Sequence, residues 1–141
     1  METQNKTVIT IETTVNASID KIWSYWSLPQ HITKWATPSD EWHTARAENN
    51  LAVGGTFNSR MEAKDGSMGF DFGGVYDAVE KNKYIAYTIG DGRKVEINFS
   101  SDSNSTKIVE SFEAESIHPI EMQQGGWQAI LNSFKSYTEA N

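Results

Sequence analysis

The sequence VNASIDKIW, at residues 15–23, marks the point at which the chain changes from one periodicity to another. Up to its first residue, residues 7–15 carry β-branched and apolar side chains at every second position, which is typical of a half-buried strand. Ser18 is a residue type that caps helix N-termini. The apolar side chains that follow recur at the spacing of one helical face, at Ile19, Ile22, Trp23 and Trp26. This stretch therefore predicts a strand that leads at once into a helix.

The next part of the chain predicts a second short helix and then a run of strands. Pro29 fits both the end of the first helix and the first position of the next one. Residues 37–50 are polar and irregular, so we expect no regular element there. Residues 51–114 alternate with period two between turn signals, of which Asp-Gly at 65–66 and at 91–92 are the clearest. Because the connections are short, the strands are expected to form an antiparallel sheet.

The last segment returns to helical spacing. Its apolar stripe consists of Trp127, Ile130, Leu131, Phe134 and Tyr137. Pro119 fits the first turn of this helix. Gly125 and Gly126 interrupt it early, at a cost of about 1 kcal/mol each relative to alanine, so we expect a kink or a close approach of another element there. As the only long helix, this segment must cover one face of the sheet, which makes residues 1–141 a single α+β domain.

The composition excludes several classes of function. The 12 basic and 19 acidic residues leave a net charge of −7, which argues against nucleic acid and against an anionic membrane as partners. The chain has no cysteine and its three histidines lack metal-ligand spacing, so neither a cofactor nor a metal site is expected. Residues 1–6 lack the apolar core of a signal peptide, which predicts a cytoplasmic protein. The remaining oddity is an aromatic fraction of 11% in a chain this polar.

Short motifs follow one another in a fixed order along nearly the whole chain, at residues 15–23, 29–35, 51–57, 65–67 leading to 74–76, 91–93 and 126–131. Together they resemble the START-like (SRPBCC) helix-grip superfamily, and within it the branch named for the activator of the heat-shock-protein-90 ATPase. The resemblance implies a curved antiparallel sheet of about six or seven strands, wrapped around a long C-terminal helix, with two short helices after the first strand. It also implies a cavity between sheet and helix, with its mouth near the two short helices and nearby loops.

On this implied fold, the aromatic side chains of one strand parity and of one stripe of the last helix would line the cavity. For any single ring, packing in the core is the more common role. The hypothesis of a binding site therefore concerns the whole set, in which the tryptophans at 26, 35 and 42 are expected near the mouth. The predicted ligand-binding residues are Trp26, Trp35, Trp42, His43, Phe57, Met61, Phe70, Phe72, Tyr76, Tyr87, Phe99, Trp127, Leu131 and Phe134.

Two titratable residues stand out as chemical candidates, although no catalytic residue is assigned. His43 lies in a polar stretch where it could reach the mouth as an acid or base; a surface loop is the alternative. Glu110 shares the parity of Ile108 and Phe112, so it is expected as a polar group in an apolar wall that needs a partner. Arg60 or Arg93 could supply that partner.

Three functions remain open from the sequence. We favour a small-molecule-binding module, without enzymatic activity, for an apolar or aromatic ligand. The first alternative is a cyclase-like or hydrolase-like enzyme, which needs His43 or Glu110 inside the cavity. The second is a chaperone-interacting module, but the eukaryotic activator has a separate N-terminal domain that is not seen in this sequence, so that function is not carried over. A monomer or weak dimer is expected.

Overall fold

The computed structural model describes residues 7–37 and 39–141, and within them it contains three helices and seven strands. Residues 1–6, and with them the expectation about a signal peptide, lie outside the described residues. The elements are β1 (Val8–Val15), α1 (Ile19–Ser27), α2 (Pro29–Trp35), β2 (Trp42–Asn49), β3 (Thr56–Ala63), β4 (Gly69–Glu80), β5 (Tyr84–Ile89), β6 (Lys94–Asp102), β7 (Ser105–Glu113) and α3 (Ile120–Ala140).

All seven strands form one antiparallel sheet in the order β1-β7-β6-β5-β4-β3-β2. The helices α1 and α2 carry the chain from β1 at one edge to β2 at the other, and β2 to β7 then return as a meander. The sheet is curled, and α3 packs against β1 and against both short helices. The predicted α+β helix-grip fold is confirmed, with the two short helices directly after the first strand.

The core lies on the inner face of the curled sheet. Strand alternation places Ile11 of β1, Ile97 of β6 and Ile108 of β7 on that face, where all three are buried. From α3, Leu131 and Phe134 are buried against them. Each such side chain contributes about 1.5–3 kcal/mol when it is fully buried. The apolar stripe of α3 and the inward-facing side chains of the strands therefore form one core.

Strand β2 occupies residues that the sequence predicted to be irregular, so this expectation was wrong. The ladder between β2 and β3 shifts register between Thr44 and Arg46. A bulge of this kind reverses the alternation, so Trp42 and Thr44 face inward before it and Ala47 after it. A period-two pattern that changes phase within eight residues is not visible in the sequence.

Gly74 in β4 has different surroundings from Gly125 and Gly126 in α3. A Cβ at Gly74 would lie 2.3 Å from the carbonyl oxygen of Thr88, so this position requires a glycine because the strands approach closely. At Gly125 and Gly126, by contrast, a Cβ would meet no atom within 4 Å. The helix α3 continues through both positions. The expected close approach of another element at this pair is therefore not observed.

Side-chain hydrogen bonds join the two short helices to the rest of the fold. Ser18 caps α1 as predicted, accepting from the Lys21 amide at 3.4 Å. Nδ1 of His31 lies 2.7 Å from the hydroxyl of Tyr137 on α3. Thr44 donates to the Ala36 carbonyl at 2.8 Å and so ties the end of α2 to β2. No helix in the described part of the chain has the length and apolar character needed to cross a bilayer.

Candidate functional site

A cavity of about 770 Å³ lies between the inner face of the sheet and the helices α2 and α3. Its walls are predominantly aromatic and aliphatic, with a few polar groups. Eleven of the fourteen predicted site residues line it, although the structure alone does not assign them a ligand. These eleven are Trp26, Trp35, Trp42, Phe57, Met61, Phe70, Phe72, Tyr76, Tyr87, Trp127 and Leu131.

Three of the predicted site residues do not line the cavity. His43 points to the outer face of β2, where its side chain is 47% exposed and its Nε2 lies 3.7 Å from Glu62. Phe99 is buried beneath α1, with its ring centroid 5.5 Å from that of Trp23. Phe134 is completely buried under other rings. For these two rings the inward parity was inferred correctly, but neighbouring side chains separate them from the open space.

The opening of the cavity differs from the sequence expectation. Trp35 is buried, and the rings of Trp26 and Trp35 each lie 4.9 Å from that of Phe134, so both form a wall rather than a rim. The exposed apolar lining residues are Phe70 near the start of β4 and Met122 in the first turn of α3, which are 48% and 61% exposed. The opening therefore lies between the β3–β4 hairpin and the start of α3.

Sequence reasoning missed several lining residues. Ser59 alternates in phase with its predicted neighbours on β3, and Ile130 belongs to the predicted stripe of α3, so both had a usable signal. Asn49 lies on the strand that was not predicted, and the loop before α3 has no periodicity. The residues that line the cavity in addition to the predicted set are Ile32, Ala36, Glu48, Asn49, Ser59, Arg93, Glu110, His118, Met122 and Ile130.

The aromatic wall is held together by edge and stacking contacts. Phe57 lies at its centre, with ring centroids 4.8 Å from Tyr87 and 5.2 Å from Tyr76. On the helix side, Trp127 stacks on Phe112 at 4.0 Å and meets Phe72 edge-on at 6.0 Å. Aromatic pairs in these geometries add about 0.5–1.5 kcal/mol each beyond the area that they bury. The rings of the wall therefore support one another through direct contacts.

The hydroxyl of Tyr76 already has a partner in the protein. It donates to Oδ1 of Asn49 at 2.5 Å, and the amide nitrogen of Asn49 donates to the Ser27 carbonyl at 2.7 Å. Burial raises the pKa of Tyr76, so this hydroxyl keeps its proton at neutral pH. Asn49 thus connects the end of α1 to β4 and satisfies the polar end of one cavity ring.

Glu110 is the buried carboxyl group of the cavity. Only 6% of the residue is exposed, and on the sheet it pairs with Ile97 on one side and Ile11 on the other. Burial raises its pKa from 4.5 to about 8. Its inward orientation agrees with the predicted parity.

The expected arginine partners of Glu110 are engaged elsewhere. Arg60 lies 3.0 Å from Glu62 on the outer face. Arg93 pairs with Asp91 at 2.8 Å and donates to the backbone carbonyl of Glu113. None of the described side chains forms a hydrogen bond or an ion pair with the Glu110 carboxyl group.

Tyr87 shares the inner face with Glu110. It is buried, and burial raises its pKa well above the ordinary value, with further increases from the charge of Glu110 and from Tyr76. Among the described residues, none forms a hydrogen bond with the Tyr87 hydroxyl. The cavity therefore contains two buried titratable side chains to which the described residues supply no partner.

A hydrogen-bonded loop forms part of the rim. Gln123 of α3 accepts from the Glu115 amide at 2.9 Å and donates to the carbonyls of Glu115 and His118. The Glu115 carboxylate in turn lies 2.7 Å from Nδ1 of His118, which lines the cavity. Within residues 7–37 and 39–141 no group of three or more histidine or acidic side chains could hold a metal ion.

Comparisons with known proteins are consistent with this geometry. A family model described as Activator of Hsp90 ATPase homolog 1-like protein matches residues 16–139. The AHSA1-like protein from Aeromonas hydrophila is 41% identical, with a TM-score of 0.90 over 95% of this chain and 93% of that chain. Chr148 from Cytophaga hutchinsonii is 62% identical, with a TM-score of 0.81 over 94% and 92%. Protein NE0264 from Nitrosomonas europaea is 15% identical over 94% of both chains, with a TM-score of 0.81, and shares the fold. No curated protein is significantly similar to the chain.

Proposed function

The chain belongs to the Activator of Hsp90 ATPase homolog 1-like family, and from that premise we propose that it is a small-molecule-binding module whose cavity takes up an apolar or aromatic ligand. The observation that carries the proposal is the ring-walled cavity of about 770 Å³. Binding sites for small molecules typically measure about 300–1,000 Å³ and combine apolar walls with a few polar groups. The size and the lining of this cavity both fall within that description.

The physical character of the walls supports binding over simple core packing. Protein interiors are normally filled to crystal-like density, so a space of this size is not an ordinary packing defect. Rings that already contact one another lose little conformational freedom when a ligand arrives, which favours affinity. The exposed positions of Phe70 and Met122 leave a route into the cavity from solvent.

The position of Gly126 provides a test that removes no lining side chain. Met122 and Ile130, four residues before and after it on α3, both line the cavity. A Cβ at Gly126 meets nothing within 4 Å, so Gly126→Leu extends a side chain into this space. Gly125→Leu removes the same helix-weakening glycine but points to another face, which makes it the matched control.

The measurement is the fluorescence titration of N-phenyl-1-naphthylamine, an uncharged probe that brightens in apolar sites. We expect saturable binding to the wild type and to Gly125→Leu, and an affinity at least tenfold lower in Gly126→Leu. That loss corresponds to about 1.4 kcal/mol. Absence of saturable binding to the wild type, or equal affinities of the two variants, contradicts the proposal.

A second candidate function rests on one residue. A buried carboxyl group with a pKa near neutrality is suited to acid–base chemistry, which favours the cyclase-like or hydrolase-like alternative. His43, the other candidate acid or base, lies outside the cavity. The enzyme alternative therefore depends on Glu110 alone. Chaperone contact, a cytoplasmic location and a monomeric or weakly dimeric state remain predictions.

A further inference from the structure

Two buried titratable side chains that find no partner among the described residues, Glu110 and Tyr87, lie on the same inner surface. Glu110 is on β7 and Tyr87 is on β5, with β6 between them. On β6, Ile97 pairs with Glu110 and Val95 pairs with Tyr87, so the two groups are offset by one inward position along the sheet. Both side chains line the same cavity. The charge of Glu110 also contributes to the raised pKa of Tyr87.

The protonation state of Glu110 determines what this pair can bind. With a pKa of about 8, the carboxyl group keeps its proton at neutral pH and can donate a hydrogen bond from it. The Tyr87 hydroxyl also keeps its proton, because its pKa is raised. Two neutral donors in an apolar cavity match one acceptor oxygen with two lone pairs. Such an arrangement can stabilise a partial negative charge on a carbonyl oxygen.

The other charged and titratable groups that share the cavity do not compete for this role. The Tyr76 hydroxyl is bonded to Asn49, Arg93 is paired with Asp91, and His118 is bonded to Glu115. Glu48 is exposed. The helices α2 and α3 contribute only apolar side chains to the lining. Glu110 and Tyr87 are therefore the buried titratable groups that a ligand would meet, beside the neutral hydroxyl of Ser59.

We propose that Glu110 and Tyr87 form a carbonyl-binding anchor inside the cavity, so that the ligand class is an uncharged aromatic or apolar molecule with a carbonyl oxygen. This inference rests on the proposed binding function and adds the chemical class of the ligand. A protonated amine is the opposite alternative, because it would require Glu110 to lose its proton. The two alternatives predict opposite pH dependences.

Three probes of one shape separate these alternatives. They are 2-acetylnaphthalene, which has the carbonyl oxygen, 2-isopropylnaphthalene, which lacks it, and 1-(2-naphthyl)ethylamine, which is a cation. Their affinities are measured by displacement of N-phenyl-1-naphthylamine. If none of them binds, the proposed function fails. If the isopropyl probe binds and the anchor variants leave the relative affinity for the acetyl probe unchanged, only the anchor fails.

The variants Tyr87→Phe and Glu110→Leu each remove one donor. We expect the affinity for 2-acetylnaphthalene, relative to that for 2-isopropylnaphthalene, to fall about fivefold to tenfold in each, the usual effect of one neutral hydrogen bond. Glu110→Gln keeps a donor of similar shape and should restore most of this preference. Thermal unfolding of each variant establishes that it is folded before its affinities are compared.

The pH profile of the wild type tests the anchor without any variant. We expect the affinity for 2-acetylnaphthalene to be constant from pH 6 to 7 and to fall above about pH 8, where Glu110 ionises. In Glu110→Gln the profile should be flat over the same range. An affinity for 1-(2-naphthyl)ethylamine that exceeds the affinity for the acetyl probe and rises between pH 7 and 9 overturns the proposal.

Discussion

At the scale of single residues, Glu110 shows how much depends on where one carboxyl group is placed. Its strand alternates as the sequence predicts, and that alternation alone turns it inward between two isoleucines. Neither Arg60 nor Arg93 forms an ion pair with Glu110, because each is paired with another acidic residue. An inward carboxyl group without a partner stays neutral rather than charged, which raises its pKa.

Glu110→Gln should change how the stability of the protein depends on pH. Unfolded, Glu110 titrates near 4.5, and folded it titrates near 8. Between these values the folded chain holds a proton that the unfolded chain has released, so stability falls as pH rises, and the loss is complete above about pH 8. We expect similar unfolding free energies for wild type and variant at pH 4, and an advantage of roughly 2–4 kcal/mol for the variant at pH 9.

Urea unfolding at pH 4, 7 and 9 measures this difference. Glu80→Gln is the control, because Glu80 is exposed at the end of β4. Its stability relative to wild type should not follow the same pH dependence. A constant difference between Glu110→Gln and wild type at all three pH values contradicts a raised pKa of Glu110 in the folded protein.

At the scale of elements, the two interruptions of regular structure have different origins. The phase change in β2 turns both Trp42 and Asn49 towards the cavity, although their positions in the sequence differ by an odd number. In α3, the glycines at 125 and 126 meet no neighbouring element. Both glycines lower the stability of the helix. Gly126 lies between the lining residues Met122 and Ile130, so the missing side chain at this position is interpreted as space beside the cavity.

Gly125→Ala and Gly74→Ala should change stability in opposite directions. At Gly125 a Cβ meets nothing within 4 Å, so alanine gains helix propensity and stabilises the protein by roughly 0.5–1 kcal/mol. At Gly74 a Cβ would lie 2.3 Å from the Thr88 carbonyl oxygen, and the overpacking should cost about 1–3 kcal/mol. Thermal unfolding monitored by circular dichroism measures both; destabilisation by Gly125→Ala would show that the helix needs this glycine.

At the scale of the whole molecule, the phenylalanine and tryptophan side chains divide into two groups. One group, which includes Phe99, Phe112 and Phe134, is buried in the core. The other group surrounds the cavity and includes four of the five tryptophans. The two groups are in direct contact, since Phe112 of the core stacks on Trp127 of the cavity wall.

Ligand occupancy should stabilise the whole fold. A compound that binds only the folded chain raises the unfolding free energy by about 2.7 kcal/mol at 100 times its dissociation constant. We expect N-phenyl-1-naphthylamine at that concentration to raise the unfolding free energy of the wild type and of Gly125→Leu, measured by urea unfolding, by this amount. At the same concentration Gly126→Leu should shift much less. Equal shifts in the three proteins would mean that the probe binds outside the cavity.

Much of the fold follows from local pattern. Alternation and helical spacing depend on burial, which acts on every element in the same way. They predicted β1, both short helices, the meander and α3, and they turned Glu110 inward. The sequence did not reveal β2, because a bulge changes the phase of its alternation and its outward residues are polar. It also placed His43 at the cavity, since nothing local distinguishes the two faces of an unrecognised strand.

Apart from β2, the sequence by itself determined the order of the elements and which side of each would face the core, because both depend on the spacing of apolar residues along the chain. Only the tertiary structure decided which inward rings meet one another and which meet open space. That outcome depends on the curvature of the sheet and on the position of α3, which arise from contacts between residues far apart in sequence. For the same reason, only the tertiary structure showed that the carboxyl group of Glu110 and the hydroxyl of Tyr87 have no partner among residues 7–37 and 39–141.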